Sequence, residues 1–226
     1  DLVICPLDEV ELLRWTGGRR LINYYGNDLE IMKKYHPQDV AEWNRAIKDG
    51  FVEAAHGLFS SSYLAIYSGE TCVRQFHYGL AAHKETLDAP VSYFITPVDH
   101  FDLHPQLPQV LRGFNYLGAN VRSTGLGIVK AVNADRIRWQ GLDGSEIEAF
   151  PEYVGLGRQH LYMTPAMIAG ADERGRKSIM SGVLYDAGGG GDETWEVTHT
   201  ILDSVAPVTG KWATMKEIYQ MTPAAT

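Results

Sequence analysis

The stretch YLAIYSGETCVRQFHY, residues 63–78, sets the reading of the fold. β-Branched and aromatic side chains crowd it, and Ser68-Gly69-Glu70 interrupts it with turn-forming residues. Tyr63 to Tyr67 and Thr71 to Tyr78 therefore read as two strands joined by a tight connection, which makes them antiparallel. The same texture recurs at Val91 to Thr96, Gly125 to Asn133, Arg136 to Gln140, Glu146 to Phe150, Ser178 to Tyr185 and Glu193 to Leu202. Asp143-Gly144 is a strong hairpin signal between the Trp139 and Ile147 strands. In the last strand Trp195, Val197, His199 and Ile201 share one side, which predicts one buried face.

Upstream of Ser62 the period changes. Val40, Trp43, Ile47, Phe51, Ala54 and Leu58 recur at three and four residue steps, predicting a helix from Gln38 to Gly57 with Asp39 as its cap. Gly57 is placed to end it, and Gly50 weakens its middle. Asp28 to Tyr35 reads as a shorter helix stopped ahead of Pro37. The expected class is α+β: a short N-terminal helical segment, residues 1–60, followed by an antiparallel β-rich body, residues 61–226. That body is expected to be jelly-roll, sandwich or barrel-like, sharing one continuous core with the helical part. The tail from Gly210 to Met221 reads as a short helix through Trp212, Met215, Ile218 and Tyr219, or as a docked strand.

Composition narrows the function classes. With 45% hydrophobic and 21% charged residues, the chain has enough apolar surface to fold. A net charge of -8 opposes binding that depends on phosphate neutralisation, so nucleic acid is not expected as a main partner. No apolar run is long enough to span a bilayer, and no signal peptide is apparent, so the given chain is expected to be soluble. Asp1 stands where an initiator methionine would, which leaves a removed leader open. Cys5 and Cys72 read as two thiols that need not pair.

Histidines supply the only chemically suggestive constellation. His100-Phe101-Asp102 puts an imidazole and a carboxylate on one side of an extended strand, and His160 or His199 would complete a two-histidine, one-carboxylate set for iron or zinc. Arg174 would then meet a co-substrate carboxylate. Set against this, Asp102 also fits a loop turn with His100 half exposed beside it. His100 with His104, and His77 with His83, are weaker zinc pairs, because the prolines around the first disfavour a helix. Ser60, Ser61 and Ser62 lack the frame of a nucleophile elbow, and Cys72 reads as a core residue. Gly125-Leu126-Gly127 and Gly155-Leu156-Gly157 lack the third glycine of a dinucleotide site, and Gly188 to Gly191 reads as a hairpin tip. Glu146 and Glu148 read as a solvated strand face.

Three functions follow. The first is a structural or assembly protein, a capsid-like or particle subunit or an accessory subunit of a large complex, with self-association or other subunits as partners. The second is a metal-dependent enzyme, iron or zinc, using His100, Asp102 and His160 or His199 on a β-barrel. The third is a small-ligand carrier lined by Tyr93, Phe94, Phe114 and Tyr116. The irregular Pro97 to Gly118 segment is the first place to look for function.

Overall fold

The computed structural model describes residues 10–11, 14–15, 17–61, 63–95, 104–121, 134, 136–151, 200, 203–204, 206–207 and 212–224. Its strands pair mainly in parallel, with helices between them, where an antiparallel β-rich jelly-roll was expected. Strand β1 (Arg20–Ile22) leads into helices α1 (Gly26–Tyr35) and α2 (Pro37–Lys48), and β2 (Val52–Ala54) returns parallel to β1. Helix α3 (Gly69–Leu87) follows, then β3 (Tyr93–Ile95), α4 (Leu107–Gly113) and β4 (Gly118–Asn120). β5 (Ile137–Gln140) and β6 (Glu146–Phe150) form the Asp143-Gly144 hairpin, with Gly144 at φ 83°. The second sheet has the order β3-β4-β6-β5, parallel except for the β5 edge. One bond, His56 N–H to the Tyr93 carbonyl at 3.0 Å, ties the two sheets at β2 and β3. Among the described residues no barrel closes.

The decisive correction lies in residues 63–78. Leu64–Ile66 is a single 3-10 turn, and Thr71 to Tyr78 belongs to α3. The Ser68 hydroxyl caps that helix by accepting the Thr71 N–H, and Glu70 favours its positive end. Cys72, Phe76, Gly79, His83 and Thr86 then form a buried stripe at helical spacing. The stripe extends past Tyr78, so a window closed there sees aromatic and β-branched residues without the period that organises them. Helices are thus not confined to the first quarter. The predicted helix from Gln38 ends early for a related reason: Gly50, at φ 81°, breaks the chain so that Val52 to Ala54 becomes β2. The predicted strands at Gly125 to Asn133, Ser178 to Tyr185 and Glu193 to Leu202 lie outside the described residues.

Strand alternation divides the side chains between two faces. Ile22, Val52 and Ala54 join Leu29, Met32, Val40 and Trp43 beneath α1 and α2. Phe94, Ala119, Ile147 and Ala149 join Phe76, Leu107 and Leu111 beneath α3 and α4. The opposite face carries Leu21, Glu53, Tyr93, Gly118, Glu148 and Phe150, and the chain's own tail covers it. Helix α5 (Met215–Met221) packs Met215, Ile218 and Tyr219 against Tyr93, Phe150 and Leu21.

That tail is held by named polar groups. Thr214 and Glu217 form a reciprocal capping box, and the Met215 N–H donates to the Glu53 carboxylate at 2.6 Å. The Tyr219 ring stacks on Tyr93 and lies beside Gly118, where a Cβ would sit 2.2 Å from Tyr219 Cζ. Its hydroxyl accepts the Ala119 N–H and shares its own proton between the Ala119 and Glu148 carbonyls, each at 2.9 Å. Arg136 lies over the Tyr219 ring, pairs with Glu148 and donates to the carbonyls of Tyr219 and Thr222. Tyr219 therefore joins β4, β6 and the tail.

Candidate functional site

Parallel strands leave their carboxyl ends on one side, and in open α/β sheets ligands collect there because the following loops can be varied without disturbing the core. Here β1 and β2 run parallel to each other, and so do β3, β4 and β6. The rim begins with Asn23, Tyr24 and Tyr25 after β1, continues through Ala55 to Ser60 after β2, and reaches Val121 after β4 and Pro151 after β6.

Two short segments build the described part of the rim. The Gly26 and Asn27 N–H groups, which have no partner inside α1, donate to the carbonyls of Leu58 and Phe59 at 2.9 and 2.8 Å. The β2 loop is therefore stitched to the start of α1. Asp28 lies in the first turn of α1, half-buried. Burial raises its carboxyl above the usual range, partly offset by the Tyr25 backbone N–H it accepts. Tyr24 is raised too, first by burial and against the lowering influence of Arg20.

His56 sits at the carboxyl end of β2 and is 0% exposed. Its ring stacks on Phe94 at 5.2 Å, and Tyr25 meets it edge-on at 5.4 Å. Its Nδ1 is 2.7 Å from the Ile95 carbonyl, and its own carbonyl accepts the Tyr116 hydroxyl at 2.8 Å. Asn120, at the carboxyl end of β4, is also 0% exposed.

A second raised carboxyl, Glu53, lies on the tail-covered face. Burial is the main cause, opposed by the backbone N–H groups of Met215 and Lys216. A raised carboxyl stabilises the fold while protonated and loses that contribution as pH rises through its folded value. The native melting temperature is expected to lose the Glu53 contribution as pH rises from about 4.5, and Glu53→Gln is expected to remove that loss. Parallel curves for the two proteins would refute this assignment.

The residues singled out in the sequence divide cleanly. His100, Asp102, His160, His199 and Arg174 lie outside the described residues, as do Cys5 and both Gly-x-Gly segments. Among the described residues no cluster of His, Cys, Asp and Glu has the makings of a metal site. His77 is exposed on α3 beside Tyr78, whereas His83 is buried, bonded to the Gly79 carbonyl and lowered mainly by burial, so that pair is not brought together. His104 accepts the Gln106 N–H. Ser60 bonds Gln75, and the Cys72 thiol donates to the Leu64 carbonyl. Phe94, Phe114 and Tyr116 pack around Phe76 as core, while Tyr93 faces the tail instead. Glu146 is exposed as expected, whereas Glu148 is half-buried and paired with Arg136. His56, Tyr25 and Asp28 were not anticipated; the available hint was His-Gly directly after the Val52 run.

In a parallel α/β sheet the loops at the carboxyl edge are where ligands collect. The sequence matches the glycosyl hydrolases family 38 N-terminal domain over residues 28–217, and the chain belongs to that family. This overturns the expectation of a capsid-like or assembly protein. A comparison with curated protein sequences gives no match. The structure is similar to the 4-alpha-glucanotransferase of Thermococcus litoralis, with TM-score 0.68 and 16% identity, covering 97% of this chain and 35% of that one. It is similar to an alpha-mannosidase from Enterococcus faecalis at TM-score 0.61 and 15% identity, covering 97% and 27%. A putative polysaccharide deacetylase from Mycobacterium smegmatis gives TM-score 0.63 and 13% identity, covering 96% and 78%. The chain thus spans about a third or less of the glucanotransferase and the mannosidase. No helix among the described residues is long and apolar enough to cross a membrane.

Proposed function

We propose that the chain is the catalytic part of a carbohydrate-processing enzyme that breaks or transfers a glycosidic bond at the carboxyl edge of its parallel strands. One observation carries the reading: the connections that leave this edge hold the sequence's chemically competent residues. β3 leads into Asp99, His100 and Asp102, and β6 leads into the stretch that contains His160 and His199. His100 and Asp102, with His160 or His199, thus lie in the connections that follow two strands of one sheet. Glycosidic chemistry requires paired carboxyl groups, one to carry a proton and one to act as nucleophile or base. Asp99 and Asp102 supply two, and the carboxyl of Asp28 is raised by burial, the direction that favours a proton donor. Within this reading His100 and Asp102, with His160 or His199, are the candidate ligands of a divalent cation such as zinc, which would polarise sugar hydroxyls. The names of the similar structures support a saccharide substrate.

Purified protein assayed on aryl α- and β-glycosides and on short manno- and gluco-oligosaccharides is expected to release aglycone or shorten the oligosaccharide. Acetylated chito-oligosaccharide serves as the counter-substrate. Acetate release without glycosidic-bond cleavage, or inertness on the whole panel with and without added zinc, would overturn the proposal.

A further inference from the structure

We infer that His56 is a positioning residue, which through its Nδ1–H holds the carboxyl end of β3 and so fixes where the chain leaves the sheet at that edge. The inference rests on the reading above for the chemistry it serves, but its geometry stands apart from that reading.

His56 adopts φ 76°, a left-handed conformation that a side chain with a Cβ rarely takes. Gly57 follows at φ 83°, and a Cβ there would lie 2.3 Å from the Tyr116 hydroxyl. Two consecutive left-handed residues directly after a strand are an outlier of the kind that clusters at functional sites. The unusual backbone turns the imidazole back behind the sheet edge. There the ring touches Tyr25 after β1 and the Ile95 carbonyl at the end of β3, while the His56 backbone carbonyl accepts the Tyr116 hydroxyl. Its backbone N–H adds a second bond to β3, at the Tyr93 carbonyl.

The choice of histidine follows from the Ile95 carbonyl. A phenylalanine would keep the stack on Phe94, yet it has no donor for that buried oxygen. A carbonyl only accepts, so the 2.7 Å contact requires the proton on Nδ1. Ile95 is the last residue of β3, and Asp99, His100 and Asp102 come within the next seven residues. Rotation of the Ile95 peptide would redirect that segment as a whole. His56 itself lies behind Phe94 in the core, so it acts through Ile95 and not on substrate.

Two variants test this. His56→Phe keeps the ring and removes the donor; His56→Asn tolerates the left-handed backbone and restores an N–H. On whichever glycoside the native protein cleaves, and well below each unfolding midpoint, His56→Phe is expected to lower kcat at least tenfold. KM should change less than twofold, and His56→Asn should recover at least a third of native kcat. Native kcat in His56→Phe, or equal impairment in both variants, would overturn the inference. Two readouts need no substrate. Nitrogen-15 NMR of the native ring should show the Nδ1–H tautomer, and amide exchange at residues 93–96 should accelerate at least tenfold in His56→Phe but not in His56→Asn. An Nε2–H tautomer, or unchanged exchange, sinks the inference even if the glycosidic reading holds. A native protein inert on every glycoside sinks that reading alone and leaves these two measurements to decide.

Discussion

Gly79→Ala is expected to destabilise the protein by about 3 kcal/mol, at the upper end of what overpacking usually costs, despite lying inside a helix. Helix propensity alone argues the opposite, since alanine is about 1 kcal/mol better than glycine in a helix interior. Packing decides because of what faces Gly79. A Cβ there would lie 2.2 Å from the Gly57 carbonyl oxygen, 2.4 Å from the Leu58 carbonyl carbon and 2.6 Å from the Phe59 nitrogen. All three are backbone atoms, which cannot swing aside as a side-chain end can.

The obstruction also reaches the rim. Residues 57–59 lie against Gly79 on one side, while Leu58 and Phe59 accept the first N–H groups of α1 on the other. Pushing the segment outward strains both, and the Phe59 N–H bond to the Gln75 carbonyl with them. Gly69 and Gly113, also helical but with open space at the Cβ position, are the controls and should lose little on substitution by alanine. Urea unfolding of the three variants checks this. A Gly79→Ala protein as stable as the controls would show that the loop does not rest on the helix as described.

The contrast at Gly79 explains which parts of the fold the sequence made legible. Features written in a few adjacent residues were readable: the Asp143-Gly144 hairpin, the break at Pro37 between α1 and α2, and the short helix of the tail. Features that depend on partners remote in sequence were not. β1 to β4 have only three residues each, too few for alternation to register, and the direction of pairing leaves no mark on composition. Residues 63–78 misled because Tyr, Val, Phe and Ile favour strands in isolation, while the buried stripe from Cys72 to Thr86 exceeds the window in which they were read. That single misreading turned a parallel sheet into an antiparallel one. The His100-Phe101-Asp102 pattern could be seen, but its position could not. Only the parallel pairing of β3 with β4 shows that the connection carrying the pattern follows the carboxyl end of a parallel strand. His56 had no sequence signature beyond a histidine before a glycine, because its role lies in a conformation.

If the carboxyl edge is the site, Asp99→Asn and Asp102→Asn should lower kcat by about 10²- to 10⁴-fold while leaving the unfolding midpoint nearly unchanged. The size follows from what an amide cannot do. It has the shape of the carboxyl group but neither its negative charge nor its exchangeable proton, so it cannot serve as nucleophile, base or acid. The stability expectation follows from shape, because an amide keeps the volume of the carboxyl group it replaces. His100→Ala combined with Asp102→Ala should also empty the protein of any co-purified zinc, measured by plasma mass spectrometry, since neither is easily replaced in the candidate set. The two readouts separate the roles. Loss of rate with metal retained makes a carboxylate a reacting group; loss of both makes it a ligand. Full activity in both asparagine variants would remove the chemistry from this edge of the sheet, and the raised carboxyl of Asp28 would have no partner there to work with.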